Sequence, residues 1–218
     1  MTAVSGATPD PSAAGRSTVP RGPKSASGRK WDPDSLTDLA LQVFLERGYN
    51  ATSMEDLARA AGTHKSNFYH HFPGGKKELL QRGLDRGLGG LAGVFEEPAA
   101  NEGPALDRLQ YVLRRAIEVE FDMLPEVALL LRVRGSGEVE RWALDRRRDL
   151  TKRLTAIVED AIAEGGIRDD LDAHLLARLL LGIETSMTDW LRRDGPLDAA
   201  TIARMTLALA FEGLTPRS

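Results

Sequence analysis

The run from Thr52 to Phe72 most restricts what this chain can become, because it holds two helix starts, a helix stop and two opposed surfaces. Ser53 followed three residues later by Asp56 has the form of a capping box. The hydroxyl accepts from an early backbone N–H, and the carboxylate is favoured at a helix N-terminus. A helix is therefore expected from Met54. Met54, Leu57, Ala58 and Ala61 recur at helical spacing, which makes one narrow apolar stripe that must be buried against neighbouring helices. Gly62 ends this helix, since the residue after a short helix often needs positive φ. Thr63 or His64 opens the next, with Lys65, Ser66 and Asn67 on its first turn and Phe68, Tyr69 and Phe72 behind them.

Two short helices with a polar leading turn and an aromatic rear have the chemistry of a helix-turn-helix. A recognition helix enters the major groove N-terminus first, so its first turn must be polar and short enough to reach base edges and phosphates. Asn67 can pair with adenine and Lys65 with guanine or phosphate, each worth ~1–3 kcal/mol of discrimination. The bland alternative is an ordinary solvated helix start. Phe68 and Phe72 read as packing residues. His70 and His71 invite a metal reading, but adjacent helical residues diverge by about 100° and no third ligand is placed to complete a site, so no metal is expected.

The longer run from Gly48 through Asn50, Thr52, Met54, Leu57 to Gly62, Lys65, Phe68 to Phe72 and Lys76 to Leu80 resembles the TetR family of ligand-responsive transcriptional repressors. The resemblance is sharp over residues 34–83 and architectural beyond them. It implies an all-α fold in which a three-helix helix-turn-helix DNA-binding domain, residues 31–80, precedes a helical ligand-binding and dimerisation domain, residues 81–218. It further implies a homodimer on a palindromic double-stranded DNA operator, released by a small-molecule effector. By position, DNA contacts fall to Ser53, Thr63, His64, Lys65, Ser66, Asn67, Tyr69 and His70. A lysine at the start of the fourth helix adds a phosphate contact; the turn before it is one residue longer than the common family pattern, so this is Lys76 or Lys77, with Lys76 chosen. His64 stands where the family usually has Ser or Thr, so Thr63 is expected to cap and His64 to face the DNA backbone.

Beyond this head the periodicity predicts helices over 34–47, 77–95, 105–122, 126–134, 138–164, 172–193 and 198–213. The 172–193 segment is apolar on more than one face. One face can pack on its own body, and the other, with Ile202, Met205, Leu209 and Phe211, is expected to meet a second copy in a four-helix bundle. For an effector pocket the candidates are Phe95, Tyr111, Phe121, Trp142, Met187 and Trp190, together with Met123. Apolar body helices suggest an apolar or amphipathic effector. The segment 142–214 loosely resembles regulators of fatty-acid or sterol metabolism that sense acyl-CoA thioesters, while the Phe72–Lys76 turn is similar to that of drug-efflux regulators.

Net charge over 218 residues is −3, which sits poorly with nucleic acid until its distribution is considered. Residues 1–30 carry Arg16, Arg21, Lys24, Arg29 and Lys30 against Asp10, a balance of +4, which leaves −7 for the remainder. This segment is rich in Gly, Pro, Ser and Ala and is expected to be a disordered basic tail. It either reaches an adjacent minor groove or is only a solubilising extension. No apolar run approaches the ~18–20 residues of a membrane span, and no signal-peptide core is present, so a cytoplasmic protein without membrane contact is expected. Cysteine is absent, which removes disulfides and thiol chemistry. No Ser-His-Asp or paired-carboxylate arrangement appears, and neither enzyme activity nor a cofactor is expected. Two further readings stay open: a ligand-binding or protein-interaction dimer that reads no operator, and a transcriptional activator.

Overall fold

The computed structural model describes residues 31–135, 137–192 and 195–213; the expected basic tail lies outside the described residues. Within them the fold is all-α. The head comprises α1 (Pro33–Arg47), α2 (Met54–Ala61) and α3 (Lys65–His71), and α4 (Gly75–Val94) leads away from it. The body adds α5 (Ala105–Asp122), α6 (Leu124–Arg132), α7 (Glu138–Ala163), α8 (Ala173–Thr185) and α9 (Ala199–Glu212), with 3-10 turns at Pro98–Ala100 and Ser186–Asp189.

Local chemistry explains the head. Asp32 caps α1 by accepting from the Ser35 N–H at 2.9 Å, and Pro33 occupies the first turn, where its missing N–H costs nothing. The capping box at α2 forms in full: Ser53 N–H donates to Asp56 Oδ2 at 2.9 Å, and Asp56 N–H donates to Ser53 Oγ at 3.2 Å. Gly62 closes α2 at φ 63°, a left-handed conformation that glycine adopts without strain. Leu36, Leu41, Leu57, Phe68, Phe72 and Leu79 are all fully buried in the head's core.

That core does not stop at the head. Leu129, Leu130 and Val133 at the end of α6, with Val139 and Ala143 of α7, belong to the same apolar cluster. Polar links reinforce the joint: Arg86 of α4 reaches Asp38 of α1 at 2.7 Å and Glu126 of α6 at 2.9 Å, and the Arg132 guanidinium donates to the Leu45 carbonyl at 2.9 Å. A second cluster joins Leu109 and Leu113 of α5, Leu154 and Val158 of α7, and Ala177 and Leu180 of α8.

The expected helix over 172–193 is shorter than its periodicity implies. α8 ends at Thr185, where the hydroxyls of Thr185, Ser186 and Thr188 donate to carbonyls three residues back and compete with helical N–H bonds. Leu175, Leu179, Met205 and Leu209 of α8 and α9 stay exposed. These side chains leave apolar surface uncovered on both helices.

Candidate nucleic-acid interface and body cavity

α3 is only seven residues long, so its position is set by anchoring rather than by its own helical stability. Phe68 and Phe72 supply that anchor, being fully buried on its rear. Its front exposes His64, Lys65, Ser66, Tyr69 and His70, while Asn67 is half-buried. Gly75, at φ +62°, fits under the Tyr69 ring: a Cβ there would stand 3.2 Å from the ring edge, so a larger residue would displace Tyr69. The turn before α4 thus helps hold Tyr69 outward, with 48 % of its surface exposed.

Several polar residues of the reading surface are engaged within the chain. The Lys65 ammonium lies 2.8 Å from Glu55 Oε2 on α2, and this partner raises the lysine's pKa while lowering that of Glu55. Asn67 Nδ2 donates to Thr63 Oγ1 at 3.4 Å. Thr63 therefore does not cap α3. The cap position is His64, whose side chain makes no capping bond, which corrects the expectation that Thr63 would serve. Ser53 is exposed, but its hydroxyl is tied into the capping box, which holds the Asp56 carboxyl below the usual carboxylate range.

Lys76 departs further from expectation. Its ammonium donates to the carbonyls of Tyr49 and Thr52, both at 2.8 Å, and lies 4.4 Å from the centroid of the Tyr49 ring. It closes the α1–α2 loop onto α4 instead of facing solvent, because that loop leaves two carbonyls without helical partners. Lys77, the alternative, reaches Glu138 at the start of α7 at 2.6 Å.

In the body, an apolar cavity of about 90 Å³ lies between α4, α5, α6, α7 and α8. Of the seven aromatic and methionine candidates, Phe95 alone lines it. Tyr111 instead donates to Glu97 and lies under Arg114. Phe121 and Met187 belong to a separate small cluster with Ile202. Trp142 packs on the head core, and Trp190 is 55 % exposed. Large side chains fill space, so they mark cores and surfaces as readily as pockets.

Two charged lining residues stand outside the sequence-based candidates. Glu120 of α5 is 4 % exposed, and its Oε2 has no hydrogen-bond partner among the described residues. Burial pushes its carboxyl up to about 7. Arg147 of α7 lines the same cavity, and burial first and Arg134 second hold its guanidinium below the ordinary arginine range. A signal for both was present: Glu120 continues the inward stripe of Leu109, Leu113 and Ile117, and Arg147 falls between Ala143 and Leu150 on that of α7. A charge on an apolar stripe is what a polar site inside a bundle requires.

Residues 36–82 match the family model described as bacterial regulatory proteins, tetR family, and residues 102–214 match the tetracyclin repressor-like C-terminal domain. Among solved structures, SCO3833 of Streptomyces coelicolor A3, a member of the TetR transcriptional regulator family, is 44 % identical, with 86 % of this chain and 94 % of that chain covered and a TM-score of 0.79. The HTH-type transcriptional repressor KstR2 of Mycobacterium tuberculosis is 28 % identical over 83 % of this chain and 91 % of its own length. The HTH-type transcriptional activator FasR of Mycolicibacterium smegmatis is 28 % identical over 81 % of this chain and 80 % of its own.

Proposed function

Since the chain belongs to the TetR family of bacterial regulatory proteins, we propose that it is a DNA-binding transcriptional repressor rather than an enzyme, acting in the cytoplasm as a homodimer on a palindromic operator and released by a small apolar or amphipathic effector. The observation that carries this reading is the division of α3: Phe68 and Phe72 are buried while Lys65, Ser66, Tyr69 and His70 face outward from a turn short enough to enter a major groove. Repression is favoured by the relative KstR2, named a repressor and matched over 91 % of its length.

In this reading residues 31–80 read DNA and residues 81–218 bind effector and partner. Leu175, Leu179, Met205 and Leu209 meet their counterparts in a second copy, which sets two α3 helices about 34–36 Å apart, one DNA turn. The effector acts through α6. Leu130 both lines the cavity and belongs to the head's core, so a molecule that moves α6 moves the ground beneath α1. It shifts the balance only by its differential affinity for the two arrangements. Contacts to bases and phosphates fall to Lys65, Ser66, Asn67, Tyr69, His64 and His70, with Ser53 and Thr63 at the rim, and not to Lys76.

Fluorescence anisotropy on DNA upstream of the protein's own gene, against scrambled DNA at two salt concentrations, tests the reading. Tight binding that survives salt and is lost in Lys65→Ala with Tyr69→Phe supports it. Equal, salt-sensitive binding to both DNAs counts against operator recognition. A reporter gene activated rather than silenced would replace the repressor with an activator.

A further inference from the structure

Glu120 and Arg147 are two charged side chains that the fold itself does not use. Each lines the cavity, and neither side chain makes a hydrogen bond or ion pair with the described residues. Glu120 is buried and Arg147 half-buried, and a buried charge left in that condition costs stability unless something else completes it. The cavity also has a neighbour. Leu131, Arg147 and Thr185 form a wall shared with a second, polar recess of about 330 Å³, which Arg132, Arg134 and Asp189 complete. Three arginines therefore line this recess, with Asp189 the carboxylate among its described lining residues. Arg132 donates to the Leu45 carbonyl and Arg134 to those of Leu131 and Val133, each through a single terminal nitrogen, so each retains further donors. Arg147 retains all of its own among the described residues.

We propose that the cavity and the recess form one site for an amphiphilic anion, with a short alkyl or acyl chain in the apolar chamber and a carboxylate or phosphate head held by Arg147 and Arg134. The proposal rests on the reading of the body as an effector chamber. The planar guanidinium fork matches both head groups, and two such forks lie close enough here for one to depress the pKa of the other. An anion placed between them removes that repulsion. A cationic ligand would add a further positive charge to the same wall, and a neutral one would leave Arg147 without a partner. Glu120 stands in the chamber away from solvent; with its carboxyl pushed up to about 7 by burial, below neutral pH it is a hydrogen-bond donor rather than a repelling charge. The chamber's 90 Å³ is well below the ~300 Å³ at which drug-sized pockets begin, so the chain is short.

The test is calorimetric titration of the full-length protein, without DNA and slightly below neutral pH, with octanoate, octyl phosphate, octylamine and octanol. Octanoate or octyl phosphate is expected to bind at least about tenfold more tightly than the ammonium or the alcohol, and which of the two wins identifies the head group. Arg147→Gln is expected to weaken the anion about tenfold or more, and Arg147→Lys to restore part of the loss. A melting curve of each unliganded variant shows whether it is folded; if Arg147→Gln is not, Arg134→Gln carries the same expectation. Octylamine or octanol binding as tightly as the anions overturns the proposal. So does an anion that ignores both arginine substitutions, or the binding of none of the four. Because no DNA is present, a protein that takes octanoate but reads no operator overturns the repressor reading and leaves this site standing; one that reads an operator and takes none of the four does the reverse.

Discussion

Near the reading turn, Lys65, Asp56 and Lys76 all have partners within the chain, whereas in the body cavity Glu120 and Arg147 have none among the described residues. The head is thus a folded tool whose polar groups are held in place before any DNA arrives. The body holds unmet demands in its interior. Preorganised contacts suit a surface that must present one shape to a rigid duplex, and unmet ones suit a chamber whose shape is to change with its contents. If this contrast is correct, injury to the head removes both stability and DNA binding, while relief of the body's charges raises stability.

The largest effect is expected from Phe68→Ala. Phe68 is fully buried and anchors a helix of seven residues, so truncation is expected to cost about 3–5 kcal/mol. Urea denaturation followed by circular dichroism measures this, and operator binding should vanish with it. Phe95→Ala beside the body cavity is expected to leave operator binding intact. Equal losses of operator binding in the two variants would erase the contrast.

Next comes the ionisation of Glu120. Its carboxyl moves from 4.5 in the unfolded chain up to about 7 in the folded one, so the folded state binds the proton more tightly. The contribution is fully present below about pH 4.5 and is lost as pH rises through about 7, a difference of about 3 kcal/mol. Glu120→Gln cannot ionise. It should therefore gain on the wild type as pH rises from 5 to 8, read from denaturation midpoints across that range. A gap that does not change with pH would mean that Glu120 finds a partner in solution.

These two residues also show what the sequence makes legible. Phe68 and the Ser53–Asp56 box follow from spacings of three or four residues, which helix geometry fixes whatever lies elsewhere. The head's helices and outward face could be read for that reason. Lys76 could not, because its acceptors are backbone carbonyls 24 and 27 residues away, and every residue type offers the same carbonyl. The cavity is hard to read for a related reason. Side-chain size does not single out a pocket, because Trp142 and Met187 are equally suited to the cores they pack in. The interruption of an apolar stripe by Glu120 or Arg147 was the better sign, since it has no cheap explanation in packing.

A smaller effect tests the reassigned lysine. Lys76→Met keeps the aliphatic stem and removes the ammonium, leaving the carbonyls of Tyr49 and Thr52 without this donor, at a cost of about 1–3 kcal/mol. The slope of operator affinity against salt should not change. A lysine that touched phosphate would reduce it by about 0.9. A reduced slope with unchanged stability would return Lys76 to the interface.

The smallest effect concerns Lys65 and Glu55, an exposed pair at 2.8 Å. To reach a base or phosphate, Lys65 must leave or share Glu55, and the carboxylate also repels the DNA backbone. Glu55→Gln removes both obstacles while leaving the apolar stripe of α2 untouched, so operator affinity is expected to rise roughly two- to five-fold at low salt, with less gain as salt screens the pair. Lys65→Ala should lower affinity and make the Glu55 substitution nearly silent in the double variant. If Glu55→Gln tightens binding equally with or without Lys65, the carboxylate acts on DNA directly. The head's preorganisation would then owe nothing to this pair, and the contrast with the body would rest on the Ser53–Asp56 box and the inward-facing Lys76 alone.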